Sequence, residues 1–302
     1  MNETEPLYRD PIFDGPTDPV LVWNRDARQW WMFYTQRRAT APGPGVAWVH
    51  GTDIGIAVSE DAGSTWLYIG TARGLDYEPG RNTYWAPEIF WAEGVYQMFV
   101  SYIRGVPDRW EGHARTILHY TSANLLDWRL AGPVDLHSDK VIDAAVFPLP
   151  SGDYRMWFKD EARDSHTYSA DSADLISWSR PVPVITNVAH EGPNVFELGG
   201  WSWLIVDEWH GLGVYRSSDL EAWARQGLIL DLPGKRGHDA DYGRHADVVE
   251  VGDGQTAYIF YFTHPGGGQP SCIEAAQLRV VDGVLVCDRD AELPSSFLPE
   301  RR

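Results

Sequence analysis

Ser122–Trp128 reads SANLLDW, Ser172–Trp178 reads SADLISW and Ser217–Trp223 reads SSDLEAW. SEDAGSTW, Ser59–Trp66, is the same turn with one residue more. A shared Ser-x-Asp/Asn-Leu-x-x-Trp pattern at roughly 45- to 50-residue intervals marks an internal repeat, and a repeat governs the whole fold. Each copy follows a short alternating strand: DIGIAV, TILHYT, SHTYSA or GLGVYR. The Ser and Asp/Asn side chains bond nearby backbone N–H groups in a turn, and the Trp anchors the following strand in the core.

Another hairpin lies upstream of each repeat. PVLVW/WWMFYTQ turns at Asn24–Arg28, PEIFW/VYQMFVSYI at Glu93-Gly94, AAVFPL/YRMWF at Ser151-Gly152, and NVFEL/WSWLIVDEW at Gly199-Gly200. A fifth, ADVVEV/TAYIFYFT, turns at Gly252–Gly254 and precedes CIEAAQLRVVDGVLVC, which reads as a hairpin closing at Asp282-Gly283. Two hairpins make a four-stranded antiparallel unit, and five such units fill the chain. The prediction is all-β: one five-bladed β-propeller spanning residues 1–302, with 1–13 as lead-in and 294–302 as tail. A β-sandwich is the alternative that short, evenly spaced strands allow; the recurrent Trp turn favours the propeller.

Composition narrows the function. The 302 residues carry 25 Lys+Arg against 43 Asp+Glu, a formal charge of −18, which repels phosphate backbones and anionic lipid. Nucleic acid and membrane are therefore excluded as partners. MNETEPLYRD lacks the basic and apolar stretches of a secretory signal, which predicts a soluble, cytoplasmic chain. A tight turn at Asp282-Gly283 places Cys287 opposite Leu278 and leaves Cys272 too far away for a disulfide, so both thiols are expected to be free and reduced.

An acid opens the first strand of every unit: Asp18, Glu88, Asp143, Glu191 and Asp247. First strands line a propeller's channel, so these positions converge at one face. Acids flanking strands are also ordinary turn and capping residues, but five in register repel one another and suggest a task, either cation binding or acid/base chemistry on a neutral polar substrate. Asp18-Pro19, WAPE (Trp85–Glu88), the Ile-Asp at Asp143 and EGP (Glu191–Pro193) resemble, in order and spacing, the blade-start motifs of glycoside hydrolase family 43. The resemblance covers about residues 14–270. It implies a five-bladed propeller and an inverting glycosidase, exo-acting or acting on short oligosaccharides of arabinose, xylose or galactose type, with no required cofactor. Asp18 would be the general base, Glu191 the general acid, and Asp143 the anion that keeps Glu191 protonated and orients it. Ala144 and Ala145 depart from the pattern, where many relatives carry Pro or a second acid.

RHADV and YIFYFTHPG (Arg244–Val248, Tyr258–Gly266) are similar to the related family 117, which makes His190, beside Glu191, a second candidate acid. The retaining fructan-cleaving propellers carry Arg-Asp-Pro and Glu-Cys motifs, and the WD-repeat scaffolds pair Gly-His with Trp-Asp; neither signature is found here. A non-catalytic sugar-binding or scaffold propeller is the alternative from another class. Trp85, Trp91, Trp31 and Trp209 are candidates to stack on a sugar, and Glu88, His190, Arg244 and Asp247 to bind it, Arg244 having an ion pair with Asp247 as its other reading. His245 is the candidate ligand for a structural Ca2+ on the axis, as in some family 43 enzymes, or a strand-end hydrogen bonder. The Pro/Gly-rich loop Ala39–Gly51 is a candidate to cover the pocket or to join subunits of a homo-oligomer.

Overall fold

The computed structural model describes residues 5–301; positions 1–4 of the lead-in and 302 of the tail lie outside them. Among the described residues twenty strands form five four-stranded antiparallel sheets, each built from consecutive strands. The first blade holds β1 (Pro16–Asn24), β2 (Gln29–Gln36), β3 (Asp53–Ser59) and β4 (Leu67–Thr71), the second β5 (Thr83–Ala92), β6 (Val95–Ile103), β7 (Thr116–Ser122) and β8 (Arg129–Pro133). The third holds β9 (Val141–Pro148), β10 (Tyr154–Asp160), β11 (His166–Ser172) and β12 (Val182–Ile185), the fourth β13 (Glu191–Leu198), β14 (Trp201–Asp207), β15 (Leu212–Ser217) and β16 (Ala224–Ile229). The fifth holds β17 (Arg244–Glu250), β18 (Thr256–Thr263), β19 (Cys272–Val281) and β20 (Val284–Asp288). Inner strands touch in sequence, β1 to β5, β9, β13 and β17, and β17 returns to β1. That closed ring is a propeller and excludes the sandwich.

The repeated turn joins the third and fourth strands, and its chemistry is as expected. Asn124 Oδ1 accepts from the N–H groups of Leu126 and Asp127, Asp174 Oδ1 from Ile176 and Ser177, and Asp219 Oδ1 from Glu221 and Ala222, all at 2.7–2.9 Å. The leucine carries the strain. Leu125, Leu175 and Leu220 have φ of 65°, 61° and 63°, a left-handed conformation costing an L-residue about 1–2 kcal/mol, and burial of each side chain offsets it with about 1.5–3 kcal/mol. Blade one has Ala62 at this place, and there the tail substitutes: the N–H groups of Phe297 and Leu298 donate to Ala62 O, and Leu298 packs on Gly63.

The lead-in closes the other side of the seam. Tyr8 forms an antiparallel bridge with Ile273 of β19, beyond the end of β20. Phe297 stacks near Tyr258 and Phe260, so both ends of the described chain lock blade five to blade one. The Cys-flanked hairpin pairs Leu278 with Cys287, and both cysteines are free. Trp30, Trp157 and Trp203 are fully buried in the blades. Among the described residues no helix is long and apolar enough to cross a membrane.

Candidate active site

Each inner strand carries a β-bulge near its start, and the bulges build the site. The register slips between Thr17 and Val20, Trp85 and Glu88, Glu191 and Asn194, and Arg244 and Ala246, and opposite Asp143 in β9. Asp18, Ala86, Asp143 and Gly192 occupy the left-handed position of four bulges, with φ of 51°, 45°, 59° and 56°. Asp and Gly tolerate that conformation, which is the local reason for Asp-Pro and Gly-Pro here. A bulge bends the strand and re-aims its side chains. Asp18 and Asp143 are thus equivalent, whereas Glu191 stands one residue earlier, level with Thr17, Trp85, Ile142 and Arg244.

Asp18, Asp143 and Glu191 line one cavity of about 760 Å3 together with Arg37, Trp85, Arg115, Lys159 and His245. Asp18 accepts from Thr17 Oγ1 at 2.9 Å and lies 3.7 Å from Arg37 and 3.5 Å from His245 Nδ1. Asp143 Oδ2 accepts from the Gly192 N–H at 3.1 Å, which ties it to the base of Glu191. Burial raises the Asp143 carboxyl to about 6, with His245 opposing the rise and Glu191 adding to it. Glu191 goes the other way. Burial pushes it up, but the Lys159 ammonium, 3.0 Å from Oε2, together with His245 and Arg37 outweighs burial and holds it down at about 2. With the ammonium on Glu191, the expected effect of Asp143, to keep Glu191 protonated, is outweighed by a buried cation from the preceding blade. Glu191 leaves 27% of its side chain open and Lys159 only 5%, so the carboxylate is the more accessible partner of the pair.

Asp207, facing Glu191 across β13–β14, was not read from the sequence, nor was Lys159. Burial and the Glu191 charge raise Asp207 to about 7. Its oxygens accept from the Trp209 and His245 N–H groups at 2.6 and 3.0 Å. That grip holds Trp209 at φ 63° with its ring 5.5 Å from the Lys159 ammonium.

Trp85 and Trp209 line the cavity, with Trp110 as an unforeseen third tryptophan. Trp31 is buried in the blade core, and Trp91 is an exposed residue stacked by Arg25 at 5.0 Å; neither faces the site. Arg244 lines it but donates to Trp209 O and pairs with Asp241 at 3.7 Å, not with Asp247. The Ala39–Gly51 loop does not cover the cavity. It backs it: Val49 O accepts from Trp85 Nε1 at 2.6 Å, and the His50 ring packs on Trp85 and Trp110.

Three expected sugar-binding residues are not at the cavity. His190 is buried, with Nε2 on Thr167 Oγ1 at 2.6 Å and Nδ1 on Val188 O at 2.8 Å; both nitrogens are spent, and strand alternation turns it from the site that Glu191 faces. Burial lowers its pKa to about 4. Glu88 and Asp247 lie deeper in the channel as staples between inner strands, because they follow the bulge. Glu88 Oε1 accepts from Val146 N at 3.1 Å; Asp247 accepts from Leu21 N at 2.8 Å and from Asn194 Nδ2 at 3.0 Å. Burial, then the Asp247 charge, raises Glu88 to about 8, and burial raises Asp247 to about 6. A carboxyl whose folded pKa is raised loses stability as pH climbs from its unfolded value to its folded one, here from 4.5 to about 8. Glu88→Gln keeps the acceptor for Val146 and removes the charge. Its Tm at pH 8 is expected to rise by about 2–4 °C, with the gain vanishing at pH 4; an unchanged Tm at pH 8 in differential scanning calorimetry contradicts this role.

The residues do not fit an axial calcium at His245. Ca2+ takes six to eight oxygens, whereas His245 offers nitrogen, its neighbouring carboxylate Asp18 is shared with Thr17 and Arg37, and no group of three or more His, Cys, Asp or Glu among the described residues is placed to hold a metal.

No protein-family model matches the sequence, and no curated protein matches it. Solved structures do. A thermostable family-43 glycoside hydrolase superposes with TM-score 0.73 over 98% of this chain and 99% of its own, at 18% identity. A family-43 β-xylosidase/α-arabinofuranosidase from a compost microbial metagenome, in complex with xylotriose and in calcium-free form, gives 0.71 over 95% and 97%, at 17% identity. A family-43 β-1,3-galactosidase with galactodeoxynojirimycin gives 0.70 over 93% and 96%, at 15% identity. The resemblance to family 43 holds in the fold: the five-bladed propeller is similar to those of these family-43 structures.

Proposed function

We propose that the protein is an inverting glycoside hydrolase that removes neutral arabinose-, xylose- or galactose-type units from a small oligosaccharide. The observation that carries this is the meeting of Asp18, Asp143 and Glu191, from three different blades, on one cavity whose size suits a small ligand. Inner strands of blades one and four are separated around the ring by β17, so Asp18 and Glu191 stand on non-adjacent blades. An inverting mechanism needs such a spacing, with a water between base and acid. In this reading Asp18 takes the proton of the attacking water, Glu191 gives one to the departing oxygen, and Asp143 fixes Glu191 through Gly192. Trp85 supplies an apolar face for the sugar.

The glycosidases among the similar structures support the same class. The two unpaired thiols support a reducing, cytoplasmic setting. The site contains no second histidine acid of the family-117 kind at position 190, which favours a carboxylic donor.

A panel of p-nitrophenyl glycosides tests the activity, and early proton NMR of the product tests the stereochemistry. The expected result is turnover of at least one pentoside or galactoside with the anomeric centre inverted. Net retention at the first time point would remove the general-base role from Asp18, and absence of turnover and of oligosaccharide hydrolysis would leave a sugar-binding propeller.

A further inference from the structure

The second strand of four blades carries, opposite the residue that precedes the bulge, Thr35, Ser101, Lys159 and Asp207. Three of these are acceptors, and each takes the bulge N–H of the next blade. Thr35 Oγ1 accepts from Ala86 at 2.8 Å, Ser101 Oγ from Asp143 at 2.9 Å, and Asp207 Oδ2 from His245 at 3.0 Å. Lys159 only donates, so the Gly192 N–H turns to Asp143 instead. These bonds bridge four of the five blade junctions, and none of them uses the lysine, which leaves its presence to be explained by the site. The chain has only three lysines, and two of them, Lys140 and Lys159, line the cavity.

The Lys159 ammonium has two seats. It is 3.0 Å from Glu191 Oε2 and 3.4 Å from Glu161 Oε1, and Arg115 ion-pairs with the other Glu161 oxygen. Glu161 is thereby a fixed second carboxylate, and the flexible lysine stem needs only a small rotation to favour one seat over the other. The Trp209 ring lies against the ammonium, on the wall a sugar would touch.

We propose that Lys159 is a positioning residue that governs the proton on Glu191: its ammonium rests on Glu191 in the structure described here and passes to Glu161 when a sugar enters, and only then does Glu191 serve as the donor. The proposal rests on the glycosidase reading. Once the ammonium leaves, the Asp143 charge next to Glu191 favours the neutral acid. Glu191 then takes a proton from solvent, gives it to the departing sugar oxygen, and as an anion recovers the ammonium.

The test combines a titration with kinetics. Lys159→Ser places at this position the residue that blade two carries as Ser101, and is expected to fold; Lys159→Met keeps the bulk. By 13C NMR the Glu191 carboxyl, assigned by its loss in Glu191→Gln, is expected to titrate at about 2 in the native protein and above 4.5 in both variants. The basic limb of kcat/KM in Lys159→Met is expected to move to higher pH. Glu161→Gln, which removes the second seat, is expected to lower kcat by about tenfold or more with KM within about twofold. A Glu191 titration unmoved by either lysine substitution, or a native kcat in Glu161→Gln, overturns the role of Lys159 in an active enzyme. Absence of turnover in the native protein overturns the glycosidase reading and the donor state with it, whereas the titration reads the Lys159–Glu191 coupling without turnover.

Discussion

Glu191→Gln and Asp18→Asn are each expected to lower hydrolysis of an unactivated oligosaccharide by about 10³-fold or more, with near-native Tm. Each amide keeps the shape of the carboxyl and loses one proton-transfer function. The folding cost is small because the neighbours keep other partners: Lys159 retains Glu161 at 3.4 Å, and Asn at position 18 still accepts from Thr17 and tolerates the left-handed backbone. The two variants are told apart by the leaving group. A nitrophenolate departs without a proton, so Glu191→Gln is expected to recover much of its rate on nitrophenyl glycosides, while Asp18→Asn, lacking the base for water, remains slow on both. Equal losses on both substrate types would remove the donor role from Glu191. Native rates in Asp18→Asn would remove the base from Asp18.

The blades were legible because their signals are local. Ser122, Asn124 and Trp128 and their repeats bond or pack within a few residues of themselves, and Asp282-Gly283 fixes the Leu278–Cys287 register by turn geometry alone. The site was legible only in part, because convergence depends on the bulge. Counting acids back from each turn puts Glu88, Glu191 and Asp247 in one ring with Asp18 and Asp143. The bulge sets them apart: Glu191 precedes it, while Glu88 and Asp247 follow it and staple strands. Aligning Pro19, Pro87 and Pro193 instead brings Asp18, Ala86 and Gly192 into register, and that signal was present in the sequence. Lys159 carried no such mark. It lies in YRMWFKD, on a second strand, where a lysine reads as a solvated end, and only the tertiary structure shows it buried against an acid from the next blade.

The same bulge yields the sharpest test of how the backbone holds the site. Gly192→Ala is expected to lower kcat/KM by about 10²-fold with a modest loss of stability. A Cβ on Gly192 would lie 2.6 Å from His245 Cγ and 2.9 Å from Nδ1, closer than the ring allows, and the ring is anchored at its base by the His245 N–H bond to Asp207. The residue must also hold φ 56°, but that alone is tolerable: Ala86 occupies the equivalent bulge of blade two at φ 45°, with its N–H on Thr35. Conformational strain of about 1–2 kcal/mol is therefore common to both positions, and only Gly192 faces His245. Relief of the clash moves either the histidine, which sits 3.5 Å from Asp18, or the Gly192 N–H, which holds Asp143 beside Glu191. Either shift misplaces a carboxylate while the blade stays intact. Ala86→Gly serves as the control, removing strain at a bulge whose side chain packs in the apolar cluster of Val49, Trp85 and Ile103, and is expected to leave kcat/KM within about twofold. A Gly192→Ala enzyme with native kcat/KM would show that neither contact positions the carboxylates.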